Sequence, residues 1–397
     1  MEKRLLHTPE GVRDIYGNEY EKKMRLQAAL LDELHLYGYQ DIQTPTFEFF
    51  DIFSSRIGTI PSKELYKFFD KEGNTLVLRP DFTPSIARAA AKYFMEEQFP
   101  IRFCYLGNTF INNSDFQGRL KETTQIGAEL INDGSVEADA EMISLIIACM
   151  KQSGLYDFQV SIGNVEFFKG LCAEYGIDEE SESGLREMIS NKNDFGAQTI
   201  LDSLELEIDV KELFLKITEM SGSLETIKDA KKFVRNPRSM HAVERLEAIY
   251  GLLLAQGVAD YVTFDLGFLS KYHYYTGVIF RADTYGSGDA VIKGGRYDNL
   301  LSEFGKKAGA IGFAIVVDQL LSAISRQGIA TAVPVETCLL LYESAYQEKA
   351  YRVAEDYRNN GKKAILMHLP EKAKLGNYEQ YAANNRLKLI LVKNLEE

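Results

Sequence analysis

The sequence predicts an α+β fold, an antiparallel sheet flanked by helices, followed by a small C-terminal α/β domain. Three observations carry that expectation. Residues 101–131 read as two long strands around a polar turn at 112–118, residues 19–37 and 137–152 place apolar side chains at helical spacing, and residues 335–397 alternate short strand and helix patterns.

In the first helix Leu26, Leu30, Leu34 and Tyr37 form one apolar stripe, and Gly38 follows where a helix caps in the left-handed region. Residues 39–47 then carry Ile42 and Pro45, and because proline cannot donate to a ladder the segment reads as an edge or interface strand. Residues 76–79 make a further strand. Thr83 and Pro84 open a helix: the hydroxyl is suited to accept an orphan amide, proline's fixed φ suits the first turn, and the alanine-rich body runs to about Met95. After the hairpin comes the helix at 137–152, apolar on one side through Met142, Ile146, Cys149 and Met150, with Gly154 beyond its end.

Residues 171–256 change character, with helical stretches, an acidic cluster at 178–182 and few strand signals, as in an inserted helical subdomain. Strand character returns at 262–266, 278–280 and 310–317, with Gly294 and Gly295 between them, and a helix follows at 318–326. The sheet is thus assembled from distant segments. Residues 327–334 read as a linker, and strands at 337–342, 364–368 and 388–392 then alternate with helices as a parallel βαβαβ unit. The expected domains are 1–326, with the insertion at about 171–256, and 335–397.

Composition excludes several classes of function. No run of about 18 uncharged apolar residues exists and the N-terminus carries no export signal, so a cytoplasmic protein is expected, with no membrane partner. Cys104, Cys149, Cys172 and Cys338 are far apart and the five histidines are scattered, which argues against zinc ribbons and disulfide scaffolds and for packed, reduced thiols. A formal charge of -13 disfavours a strong non-specific grip on nucleic acid, whose phosphates are held mainly by clustered Lys and Arg.

Six blocks stand in one order: the strand with Pro45 and Glu48, LRPDFTP at 78–84, QIGAE at 125–129, HYYTG at 273–277, GGRYD at 294–298 and GAIGFAI at 309–315. Together they resemble the histidyl-tRNA synthetase family over roughly residues 7–325, and six spaced blocks are far more specific than a lone Gly-Gly or Arg-Pro. The resemblance implies a class II aminoacyl-tRNA synthetase-like core that dimerises through the region around Pro45. Such enzymes form an aminoacyl adenylate, with arginines gripping the phosphates of ATP through paired, charge-assisted bonds. Three of those positions depart from the family. Its Phe-Arg-x-Glu signature is here Phe110, Ile111, Asn112, Asn113; its Arg-Gly-Leu-Asp-Tyr-Tyr block begins with Ser270; and the arginine of the helix after GFAI is Gln319. Ile111 has no side-chain donor, and Lys271 would offer a point charge without the guanidinium's two-pronged fork. The synthetase site is therefore expected to be lost, leaving no catalytic residue, metal or cofactor to assign.

Asp81, Thr83, Gln125, Glu129, Tyr274 and Tyr275 match positions that line the family's amino-acid pocket, where carboxylates and a phenol meet an ammonium and an imidazole; they are the candidate histidine-binding residues. The same residues also fit a structural role, because polar residues at period two recur on any wet sheet face. Asp81 is one methylene shorter than the usual glutamate, and Phe82 stands where the family has glycine and narrows the pocket. His273 has no nucleophile or metal partner spaced with it and reads as a packed histidine, GGRYD as tight backbone packing, and the acidic cluster as a solvated loop.

A synthetase-like chain without its ATP arginines is similar in particular to the regulatory subunits of ATP phosphoribosyltransferase, through HTPEGVRDIYG near the N-terminus and LRPDFTP. That family implies a short catalytic partner performing the first step of histidine biosynthesis, activation and histidine feedback through this chain, and homodimers within a hetero-octamer. Residues 335–397 resemble a truncated anticodon-binding domain without an obvious basic face, so no tRNA partner is expected. The alternatives are an active histidyl-tRNA synthetase with rearranged phosphate ligands and a free-standing histidine sensor.

Overall fold

Leu30 and Leu34 are fully buried and Leu26 nearly so, and they seat the first helix, α1 (Gly17–Leu36), against the sheet-backing helix described below. Tyr37 does not continue that stripe: it is the C-cap residue and is 37% exposed, because the helix has already ended. Gly38, at φ 83°, closes a Schellman turn in which its amide donates to His35 O and the Tyr39 amide donates to Leu34 O. The computed structural model describes residues 6–54, 60–112, 120–270, 274–329 and 337–393. The expected turn residues 113–118, with Asn113 among them, Lys271, His273 and most of the expected linker lie outside the described residues.

The chain continues through β1 (Gln40–Asp41), β2 (Phe47–Phe49), β3 (Lys67–Phe69), β4 (Thr75–Leu78) and α2 (Thr83–Tyr93) to the hairpin β5 (Ile101–Phe110) and β6 (Glu122–Ile131). Next come α3 (Val136–Gln152) and β7 (Phe158–Asn164), then α4 (Val165–Glu174), α5 (Glu179–Ser190), α6 (Asp194–Ser203), α7 (Ile208–Lys216), β8 (Ser221–Gly222), α8 (Leu224–Phe233) and α9 (Pro237–Ala255). The core closes with β9 (Val262–Asp265), β10 (Val278–Thr284), β11 (Ile292–Arg296), β12 (Ala310–Val316) and α10 (Val317–Arg326).

Among the described residues these strands build a nine-stranded sheet in the order β1-β5-β6-β12-β11-β10-β7-β9-β8, antiparallel except where β1 meets β5 and β7 meets β9. A separate antiparallel sheet runs β2-β4-β3. One apolar cluster joins α1, α3, β6, β7 and β12 with buried side chains of α5 to α9, such as Leu185, Leu201, Phe214 and Leu246. The helical stretch therefore shares the sheet's core, and β8 adds a short edge strand from within it.

Several local expectations are corrected by the structure. Gly294 and Gly295 lie inside β11, not between strands; a Cβ on Gly294 would stand 2.4 Å from the Phe280 ring, so the close packing of β10 needs glycine there. The Thr83 hydroxyl does not cap α2, because it is committed to Glu129, and the Thr83 amide instead donates to Asp81 Oδ1 at 3.3 Å. The acidic cluster at 178–182 is the start of α5 rather than a loop. Asp178 is its N-cap, and Glu179, Glu180 and Glu182 sit in the first turn, where the helix dipole favours negative charge.

The two compact units of the chain are Met1–Ile329 and Ala330–Glu397. The second comprises β13 (Thr337–Tyr342), α11 (Gln347–Asn359), β14 (Lys363–His368), α12 (Leu375–Asn384) and β15 (Lys388–Val392), with a parallel sheet ordered β14-β13-β15. Its core is small: Cys338, Leu340, Ala350, Ala354 and Val392 are buried together. All four cysteines are buried free thiols, and no helix among the described residues is long and apolar enough to cross a membrane.

Candidate functional site

Period-two alternation puts Gln125, Gly127 and Glu129 on one face of β6, and α2 covers the Glu129 end of that face. Glu129 is 1% exposed. Its Oε1 accepts from the Thr83 hydroxyl at 2.7 Å and its Oε2 from the Tyr297 phenol at 2.5 Å. Gly312 on β12 is what makes room, since a Cβ there would overlap Glu129 Oε2. Burial pushes the Glu129 carboxyl up to about 8 even though both hydroxyls favour its charged form. Asp81 is raised by burial as well, against the opposing pull of the Thr83 and Phe82 amides and the Tyr274 phenol, which donates to Oδ2 at 3.4 Å.

Beside these acids stands an aromatic wall. Phe82 and Tyr105 are fully buried and stacked, with ring centroids 4.3 Å apart, and the Arg79 guanidinium lies 4.0 Å from the Phe82 centroid. Arg79 also donates to the carbonyls of Asn108, Thr44 and Pro45 at 2.8, 2.9 and 3.2 Å. These bonds tie the LRPDFTP block to β5 and to the Pro45 segment. A buried arginine so engaged holds backbone carbonyls together.

The structure brings four of the six pocket candidates into bonded pairs, Thr83 with Glu129 and Tyr274 with Asp81. Tyr275 sets its ring beside that of Tyr274, 4.6 Å between centroids, and packs with Val165 and Ile279; it borders a small cavity shared with Phe168, Lys169, Arg186, Leu269 and Ser270. Gln125 Oε1 is buried without a hydrogen-bond partner among the described residues, a free acceptor on the sheet face. Of the residues expected to replace arginines, Ile111 follows β5 and pairs its amide with Lys121 O, Ser270 borders that cavity, and Gln319 lies in α10 with Oε1 buried and without a partner among the described residues.

Sequence reasoning missed Tyr105, Tyr297 and Arg79 as parts of this site. The even spacing of Phe103, Tyr105 and Gly107 along β5 carried a signal for Tyr105, while Tyr297 was hidden by the attention its neighbouring glycines drew. Arg296 of the same GGRYD block is 3% exposed and makes a two-nitrogen bond to the buried Asp139, at 2.8 and 2.6 Å, with Asp298 at 3.1 Å. It fixes the loop that carries Tyr297. The assembled site thus offers a buried acid, Glu129, a half-buried acid, Asp81, phenols and an amide oxygen, a set that favours a positively charged ligand.

The histidyl-tRNA synthetase family matches residues 11–320. The ATP phosphoribosyltransferase regulatory subunit of Ruminiclostridium cellulolyticum is 38% identical over 98% of this chain and 92% of its own length; that of Acetivibrio thermocellus is 38% identical over 90% and 85%. A crystal structure described as an ATP phosphoribosyltransferase regulatory subunit/histidyl-tRNA synthetase from Bacillus halodurans superposes with a TM-score of 0.87 at 30% identity, covering 98% of this chain and 99% of that one. Histidyl-tRNA synthetase from a Nostoc species shares the fold, with a TM-score of 0.80 at 20% identity over 96% and 90% of the two chains. With a class II synthetase-like architecture and such identity along almost its whole length, the chain belongs to the histidyl-tRNA synthetase family and, within it, to the ATP phosphoribosyltransferase regulatory subunits.

Proposed function

We infer that this chain is the non-catalytic regulatory subunit of ATP phosphoribosyltransferase, the glycosyltransferase that opens histidine biosynthesis, and that it works in the cytoplasm with a short catalytic chain. That partner condenses ATP with phosphoribosyl pyrophosphate; this chain activates it and carries histidine feedback. Homodimers of the chain join catalytic dimers in a hetero-octamer.

One observation carries the non-catalytic part: Ile111, Ser270 and Gln319 stand where the synthetase family has phosphate-gripping arginines, and Arg79 is spent on backbone carbonyls and the Phe82 ring. An arginine at a transferring phosphoryl group contributes roughly a thousandfold or more, so three such replacements remove adenylate chemistry. The amino-acid side of the site supports histidine as its ligand. Glu129 is buried and Asp81 half-buried, acids whose ionised forms gain from an incoming ammonium or imidazolium; Gln125 brings an unsatisfied acceptor, and Thr83, Tyr274 and Tyr275 complete the candidate set. Histidine then regulates by favouring whichever arrangement of Phe82 and Tyr274 admits it, and its differential affinity shifts the assembly.

Phosphoribosyl transfer by the short catalytic chain, measured with and without this chain and with added histidine, tests the reading. Activation on mixing, reversed by histidine, is expected; an unchanged rate contradicts it.

A further inference from the structure

Away from the acidic pocket, three donors of different chemistry converge at the outer end of the main sheet. His35 comes from the last turn of α1, Asp41 from β1 and Cys104 from β5. Two features of the backbone produce the meeting. The Schellman turn at Gly38 reverses the chain, so that Asp41 returns under His35. The parallel register of β1 with β5 then pairs Asp41 directly with Cys104.

His35 Nε2 lies 3.0 Å from Asp41 Oδ2, Cys104 Sγ lies 3.5 Å from Asp41 Oδ1, and one donor atom from each residue falls within 4.8 Å of the others. A tetrahedral zinc ion with bonds of about 2.3 Å to sulfur and about 2.0–2.1 Å to nitrogen and oxygen sets its ligand atoms about 3.4–3.6 Å apart. The two contacts, one to each oxygen of Asp41, lie below that range and within it, and the whole set stays within 4.8 Å. Rotation of the two exposed side chains is what would bring one oxygen, the nitrogen and the sulfur to it. The side chains of His35 and Asp41 are 42% and 67% exposed, which leaves an entry path and a position for water, while Cys104 forms the buried floor.

We propose that His35, Asp41 and Cys104 form a binding site for a divalent transition metal of zinc type, holding three protein ligands and one open position. A thiolate, an imidazole and a carboxylate suit Zn²⁺ or Co²⁺ and not Mg²⁺ or Ca²⁺, which take oxygen ligands. The ion would pin α1 to the two-residue strand β1 and to β5, bracing the edge of the sheet just before the Pro45 segment. Coordination replaces the weak Cys104 S–H bond to Asp41, and the thiol proton passes to solvent as the metal–sulfur bond forms.

The test is titration of the full-length chain with Co²⁺ under reducing conditions, read by absorption, followed by displacement with Zn²⁺. One Co²⁺ per chain with a thiolate-to-metal charge-transfer band is expected, the band vanishing in Cys104→Ser and affinity falling at least tenfold in His35→Ala and in Asp41→Ala. The last two residues are at the surface, so their variants keep the test meaningful if Cys104→Ser does not fold. Absence of saturable binding, a band that survives Cys104→Ser, or equal affinity in the His35 and Asp41 variants overturns the proposal and leaves a surface ion pair beside a packed thiol.

Discussion

Tyr297 and Glu129, 168 residues apart in sequence, share a hydrogen bond of 2.5 Å inside the core, with the Thr83 hydroxyl holding the other carboxylate oxygen. This arrangement makes Glu129 the titrating centre of the pocket. Its carboxyl, pushed up to about 8 from an ordinary 4.5, binds its proton more tightly folded than unfolded. The stabilisation it gives is complete below about pH 4.5, declines as pH rises toward 8 and is lost above that. Urea unfolding across pH 5 to 9 should therefore show the native chain losing stability relative to Glu129→Gln by roughly a few kcal/mol, each pKa unit corresponding to about 1.4 kcal/mol. Parallel profiles would contradict this origin.

Tyr297→Phe should move the same transition to higher pH. The phenol stabilises the ionised carboxylate, and without it the acid holds its proton longer. Comparison of the two pH–stability profiles checks the direction; a downward move would mean that Tyr297 serves the neutral acid.

In the complex with the catalytic chain, Gln125→Ala or Glu129→Ala should weaken inhibition by histidine while assembly, followed by size-exclusion chromatography, persists. Unchanged inhibition would move the effector site off this sheet face.

Arg296 and Asp139 form a buried ion pair, their side chains 3% and 0% exposed. Removing one partner strands a charge, so Arg296→Ala should cost about 3–5 kcal/mol in denaturant unfolding. A loss below about 1 kcal/mol would show that Arg245, the other cation on Asp139, suffices.

Gly38 occupies the left-handed region at φ 83°, where a Cβ meets the following carbonyl. Gly38→Ala should lower stability by about 1–2 kcal/mol in thermal or urea unfolding, and no loss would contradict the strain expected there.

Much of the fold was legible because its signals are local. The stripe of Leu26, Leu30 and Leu34, the hairpin and the βαβαβ tail each declare themselves within a short window. The strands β7 and β3 did not: Phe158–Asn164 passes into α4 with no loop between, its last residue Asn164 serving as the helix N-cap, and Lys67–Phe69 is three exposed residues on an edge. The site divides in the same way. Spacing exposed Gln125 and Glu129 on one strand and the block pattern exposed Asp81, Thr83 and Tyr274, whereas the bond from Tyr297 to Glu129 depends on the pairing of β11 with β12 and of β12 with β6, which no short window contains. Tyr275 was grouped with Tyr274 because both match family pocket positions; its ring lies beside that of Tyr274, 4.6 Å between centroids, and is buried in the cluster with Val165 and Ile279.

Exchange of labelled pyrophosphate into ATP in the presence of histidine, with purified and folded chain, measures directly whether this protein retains adenylate chemistry. The account predicts no histidine-dependent exchange above background, because Ile111, Ser270 and Gln319 offer no guanidinium to the phosphates. Histidine-dependent exchange at the rate of a working synthetase would contradict it.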